Sequence, residues 1–329
     1  MKRLPGIFLS FFAIVIVTWF FYMIENEQFM LFVKHWQITL TMIFGSFIAG
    51  ASSEGGGAIA YPVFTLLLDV SPAVARNFSY AIQSIGMTAA SLMIIGLKIK
   101  IEVRAIIYAS IGGIIGLIIG TYFIVDLLAG GLTKLLFVSL WLSFGFALLL
   151  TNTVKRRIII ENLGDLTNND VVKLIIFGFI GGMITSIFGN GIDIFTFCLL
   201  TLFFGLSEKV ATPTSVVLMT INTIAGFFLH AVVIRDFQTI AFEYWMVSIP
   251  VVIIFAPFGA FLISKVSRKV ISYLLYTIIL AQFVGALFII KPNTFEILLS
   301  ITVICIGFLF FWRLSKNARK QKVTLVTTP

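Results

Sequence analysis

Uncharged apolar runs recur along this chain at the length that carries a helix across bilayer hydrocarbon, about 20 residues. Eight are continuous: 7–24, 78–97, 105–125, 135–153, 211–234, 244–264, 270–290 and 292–312. Pro250 and Pro257 fall inside the sixth, which membrane helices tolerate. Two further runs, 38–68 and 174–206, are too long for one straight span and too short for two with a turn. Each is interrupted by glycine, at Gly55-Gly56-Gly57 in the first and Gly189-Asn190-Gly191 in the second, with an acid beside the break, Glu54 or Asp193. The pattern predicts two half-helices meeting at a glycine tip in each run.

Composition agrees with a bilayer as the solvent. Of 329 residues, 60% are hydrophobic and 11% charged, against roughly a quarter charged in soluble domains. The first run follows Lys2 and Arg3, and residues 21–23 offer no small-residue cleavage site, so it reads as an uncleaved anchor helix. The net charge of +9 excludes little by itself, but no basic stripe with interleaved aromatics suggests nucleic acid. Cys198 and Cys305 lie in apolar runs, and with only His35 and His230 there is no metal-ligand pattern; no metal or cofactor is expected.

The basic residues orient the chain. With the N-terminus inside and both broken runs re-entrant, 18 of the 23 Lys and Arg fall on the cytoplasmic side; Lys34, Arg76, Lys134, Arg235 and Lys291 fall outside. A single crossing by either broken run would erase this bias. Both termini are therefore expected in the cytoplasm of a multi-pass protein of the inner (plasma) membrane.

The halves also resemble each other. Gly45, Gly55, Gly57, Ser71, Ala75 and Ser79 find counterparts, with three gaps, in Gly178, Gly189, Gly191, Ser207, Ala211 and Ser215. The expected fold is thus an all-α polytopic membrane protein of two inverted repeats, each opening with a re-entrant broken-helix hairpin, with eight full spans besides. The divisions are an N-terminal anchor at 1–35, a first repeat at 36–151, a polar cytoplasmic linker at 152–171, a second repeat at 172–291, and a last helix with a basic tail at 292–329. The tail is expected to be unstructured past Lys322. Inverted repeats broken at matching positions point to a transport site at the membrane midplane.

The stretch 45–62, GSFIAGASSEGGGAIAYP, resembles the glycine-rich opening of the sulfite exporter TauE/SafE family, and 178–215 resembles that family's repeated copy. The resemblance implies export of sulfite, organosulfonates and related small anions with proton coupling. The chain departs from the family pattern at Glu54, where a neutral residue is usual, and at Asn190 and Asp193, which dilute the second glycine set.

No Lys or Arg lies within either broken run, so an anion there needs backbone N–H groups and neutral side chains as donors. Candidate substrate-binding residues are Ser52, Ser53, Gly55, Gly56 and Gly57 at the first tip and Ser186, Gly189, Asn190 and Gly191 at the second, with Thr185 nearby. Ser79, Gln83, Ser215 and Asn222 come from the helices that follow. Glu54 and Asp193 are the candidate proton carriers, since an ionisable group at membrane depth is a functional candidate by default. The glycines are equally suited to close helix packing. Arg76 is expected to pair with Asp69 or be solvated, and His230 to be a satisfied polar residue. The partners are a small anion, protons and lipid; the oligomeric state is open. A passive anion channel of the same fold remains an alternative. An intramembrane serine protease, using Ser52 with His230, is a weaker one, and no enzymatic activity is expected.

Overall fold

The computed structural model describes residues 4–52, 57–128, 130–153, 159–262 and 268–326, and it is helical almost throughout. The chain runs through α1 (Gly6–Glu25), a short α2 (Leu31–Lys34), α3 (Trp36–Ala51), α4 (Gly57–Pro62), α5 (Pro72–Gly96), α6 (Val103–Phe123) and α7 (Gly130–Thr153). It continues through α8 (Asn168–Phe188), α9 (Ile192–Cys198), α10 (Glu208–Phe228), α11 (Thr239–Leu262), α12 (Arg268–Ile290) and α13 (Thr294–Val326). Among the described residues the only β pairing is one parallel bridge, Ile160 with Leu206.

Eight of these helices are long and apolar enough to cross a bilayer. Seven coincide with expected spans, and the eighth is α8. Hydropathy underestimates α8 because its first residues are polar. Thr167 caps it, accepting from the Asp170 amide while the Asp170 carboxylate accepts from the Thr167 amide, so Asn168–Lys173 joins the helix. The same mechanism starts α5 early: Ser71 caps it with Pro72 in its first turn, and this brings Arg76 and Asn77 into the helix. The expected span at α12 has a shorter apolar described portion, Tyr276–Ile290. The helix of α13 extends to Val326, so the tail is not unstructured from Lys322.

The second broken run breaks at its glycines; in the first, α3 ends at Ala51 and α4 opens at Gly57, and residues 53–56 lie outside those described. The first gives α3 and α4, the second α8 and α9. Each second half-helix then passes into a π-helical stretch, Val63–Leu67 or Leu199–Phe203. The closing bonds match one for one: Leu68 N to Val63 O and Val70 N to Phe64 O, against Phe204 N to Leu199 O and Leu206 N to Leu200 O. From here the two halves run in step without a gap, through Ser71 and Ser207 to Ser79 and Ser215.

Helix pairing follows the same correspondence. The packing of α8 on α6 is answered by α3 on α11, that of α10 on α6 by α5 on α11, and α5 meets α10 between them. Each hairpin therefore packs mainly on the other half. Small residues permit the approach: a Cβ on Gly112 or Gly116 of α6 would run into the α8 backbone at Ile175 or Phe179, and one on Gly259 of α11 would meet Phe47 of α3. Helices α1 and α13 flank this assembly, with little of either buried.

Candidate functional site

The tip between α8 and α9 is the best-defined part of the site. Gly189 ends α8 at φ 78° and Gly191 follows at φ 138°, conformations that side-chain-bearing residues rarely adopt. The turn is closed by its own side chains. Ile192 N donates to Thr185 Oγ1 at 3.0 Å, while Gly191 N and Ile194 N donate to Asp193 Oδ1 at 3.2 and 3.0 Å. The N–H groups expected to receive an anion thus already hold one, the Asp193 carboxylate, and Thr185 is spent on the turn.

What remains at the tip is unsatisfied. Asn190 is fully buried, and neither its Oδ1 nor its Nδ2 has a partner among the described residues. The same holds for Asp193 Oδ2 and Thr196 Oγ1. Buried polar atoms are nearly always paired, so such a cluster is the signature of a site whose ligand or water completes it.

Helix α5 supplies the opposite wall. Ser79 Oγ and Gln83 Nε2 both donate to the Gly189 carbonyl, at 3.2 and 3.0 Å, and Gln83 Nε2 also reaches Ser79 Oγ at 2.6 Å. Gln83 Oε1 has no partner. Tyr80 donates its hydroxyl to the Thr185 carbonyl at 2.6 Å. The expected residues Ser79, Gln83, Gly189, Asn190, Gly191 and Asp193 are therefore brought together.

Others lie apart. Ser186 donates to Met183 O, and its Oγ faces Gly120 of α6. Ser215 donates to Thr212 O within α10. Asn222 donates to Leu218 O, and its Oδ1, without a partner, faces Gly113 beside the Ile192 side chain. At the first tip Ser52 is buried in extended conformation after α3, and Gly57 opens α4. Ser53, Glu54, Gly55 and Gly56 lie outside the described residues.

An aromatic wall completes the site. Tyr61 of α4 stacks on Phe137 at 4.6 Å, Phe137 stacks on Trp141 at 4.0 Å, and Phe188 at the end of α8 meets Tyr61 edge-on at 5.6 Å. The two hairpins touch here. The Tyr61 hydroxyl and Trp141 Nε1 are buried without partners, and Trp141 shares a narrow apolar crevice with Ile184, Gly191, Ile194 and Phe195. A hydrophobicity pattern cannot distinguish these aromatics from ordinary span residues.

Arg76 corrects the expectation made for it. It pairs with Asp236, not Asp69, which instead meets Lys134 at 3.1 Å. His230 is only half satisfied: Nδ1 lies 2.8 Å from Asp236 Oδ1, while Nε2 is buried without a partner. Its ring stacks on Tyr80 at 5.3 Å. Among the described residues no three His, Cys, Asp or Glu come together as a metal site would require.

Comparison with known proteins places this geometry. Residues 38–285 match the family model described as Sulfite exporter TauE/SafE. The match starts in α3 and ends in α12, taking in both hairpins and leaving α1 and α13 outside. No curated protein and no solved structure matches the chain. The chain is a multi-pass membrane protein that belongs to the sulfite exporter TauE/SafE family, a family of membrane transporters.

Proposed function

We propose that the chain is a secondary transporter, working as an exporter, of a small anion such as sulfite or an organosulfonate, coupled to protons. Its site would lie between the two glycine tips near the membrane midplane, in a fold of two inverted repeats with both termini in the cytoplasm of the plasma membrane. The observation that carries this reading is the Asp193 carboxyl group, buried at the tip, with one oxygen on backbone N–H groups and, among the described residues, no basic partner and no partner for the other oxygen.

Burying a lone carboxylate is expensive, and backbone donors compensate only part of the cost. Asp193 therefore acts as the resident anion of the empty site. When it takes up a proton, its hold on Gly191 N and Ile194 N weakens, and a substrate anion can use the same donors together with Asn190 Nδ2. When the anion leaves, the proton leaves and the carboxylate returns. One proton then accompanies each anion, and the buried charge at the tip stays near minus one throughout. Glu54 would play the corresponding part at the first tip.

The test is Asp193→Asn in proteoliposomes, with sulfite and methanesulfonate as substrates. The amide can still accept from Gly191 N and Ile194 N but cannot carry the proton. Anion-for-anion exchange should persist while accumulation driven by a pH gradient disappears. Full proton-driven accumulation by the variant would remove Asp193 from the mechanism. Flux in the wild type that follows voltage alone would mark a channel.

A further inference from the structure

Among the described residues, Arg76 is the only lysine or arginine that is buried. It lies on α5 one turn before Ser79 and two before Gln83, at spacings that place all three on one helix face. Its carbonyl packs against the tip, since a Cβ added to Gly189 would lie 2.7 Å from Arg76 O. The backbone of the one buried permanent cation among the described residues therefore stands beside the Gly189 turn, with its guanidinium on Asn77 and the Asp236 loop.

Its anionic partner differs in character. The Arg76 side chain is 5% exposed, but that of Asp236, on the loop between α10 and α11, is 37% exposed. Arg76 Nη2 donates to Asp236 Oδ2 at 3.2 Å and Nε to Asn77 Oδ1 at 3.1 Å. The other Asp236 oxygen meets His230 Nδ1 at 2.8 Å. Asn77 Nδ2 holds the loop by donating to Asp236 O and to Gln238 Oε1, both at 3.0 Å. A carboxylate half in water, on a single 3.2 Å bond to a buried guanidinium and with a second partner in place, is built to exchange. On leaving Arg76 it stays on His230, and Asn77 keeps the loop docked.

A buried guanidinium left without an anion is strongly destabilising, so whatever displaces Asp236 must itself be an anion. The planar fork of arginine suits two oxygens of one group, as on sulfite, a sulfonate or a carboxylate, better than it suits a halide. We propose that Arg76 is an anion-binding residue at the α5 end of the translocation route, where a small oxyanion passing to or from the Gly189 tip takes the place of the Asp236 carboxylate. This rests on the chain being an anion transporter and adds a second station to its route.

If the two anions compete, removing one strengthens the other. This separates a binding residue from a structural ion pair. In purified full-length protein, sulfite and methanesulfonate should each raise the apparent melting midpoint, as any ligand of the folded state does. That shift should grow in Asp236→Asn, where Arg76 has lost its resident partner, and shrink in Arg76→Gln. In proteoliposomes, Asp236→Asn should lower the half-saturation concentration severalfold, Arg76→Gln should raise it tenfold or more, and Arg76→Lys should raise it by less than Arg76→Gln does. Should Arg76→Gln not fold, Arg76→Lys and Asp236→Asn still decide, because a purely structural pair gives no gain in affinity when Asp236 is removed. Unchanged or weakened binding in Asp236→Asn would overturn the inference. So would Arg76→Lys or Arg76→Gln transporting with wild-type half-saturation, and since the protein would then still move anions, the transporter reading would stand. A wild type that neither binds nor moves either oxyanion would overturn both.

Discussion

Replacing Gly189 by alanine should damage the tip by an amount that can be worked out beforehand. Two costs add. At φ 78° the backbone is in the left-handed region, which costs a side-chain-bearing residue about 1–2 kcal/mol. The new Cβ would also lie 2.6 Å from Ser79 Cβ and 2.7 Å from Arg76 O. Neither can swing aside, because one is the first atom of a side chain and the other is helix backbone. Overpacking of this kind costs about 1–3 kcal/mol. The total is about 2–5 kcal/mol, taken up by moving the tip away from α5 and so lengthening the bonds from Ser79 and Gln83 to the Gly189 carbonyl.

Gly164→Ala provides the control. Gly164 also has positive φ, 61°, but nothing lies within 4 Å of its Cβ position, so only the backbone cost of about 1–2 kcal/mol applies. The apparent melting midpoint in detergent should fall clearly further for Gly189→Ala than for Gly164→Ala. Anion exchange in proteoliposomes should be lost in Gly189→Ala alone. Equal midpoints, or normal exchange by Gly189→Ala, would refute the claim that α5 and the tip are held in contact by this glycine.

Two further expectations follow from other parts of the chain. Glu102 is buried and accepts from the Leu163 amide at 3.1 Å, so it ties the linker to the start of α6; Glu102→Ala should cost about 1–3 kcal/mol locally and speed hydrogen exchange of a peptide over 159–167, while unchanged exchange would mean that the Ile160 bridge and the Arg104 bond to Gly164 O hold the linker without it. Glu54→Gln mimics the protonated acid, so anion exchange should persist or tighten and proton-driven accumulation should fall; an unaltered pH profile of transport would make Glu54 structural.

The fold was legible wherever solvent alone decides. Span lengths and glycine breaks follow from the cost of bare backbone in hydrocarbon, and both are visible residue by residue. Helix starts were less legible because capping lets polar residues into the helix, as Asp170 does in α8 and Arg76 in α5. The gaps in the repeat end at the π turns, which are of equal length in the two halves and which no hydropathy pattern reveals. At the site, Ser79, Gln83 and Asn190 were readable as polar residues at depth. Asp193 was readable as an acid but not as the cap of its own turn, since that depends on χ angles. The Arg76–Asp236 pair joins residues far apart in sequence, and Asp69, nearer in the chain, was the natural but wrong partner.

The ungapped register makes one asymmetry explicit. It pairs Ser71 with Ser207 and Ser79 with Ser215, but Arg76 with Thr212 and Asn77 with Pro213. The first half therefore carries a buried cation where the second has a hydroxyl. At the corresponding place in the second half, Thr214 Oγ1 accepts from the amide of Glu102, the acid that also holds the linker. An anion arriving beside the start of α5 meets a buried guanidinium; beside the start of α10 no Lys or Arg is buried among the described residues, and Glu102 is paired with the half-exposed Arg104. This difference cannot set the direction of net flux, which the anion and proton gradients fix. It can set the concentration at which each side saturates. If the α5 side is the side of release, weak binding there favours export, and a resident but exchangeable Asp236 weakens the Arg76 station by competition. In oriented proteoliposomes, Asp236→Asn should therefore change half-saturation on the α5 side far more than on the other. Equal changes on both sides would mean that the two ends are energetically alike despite their different charges.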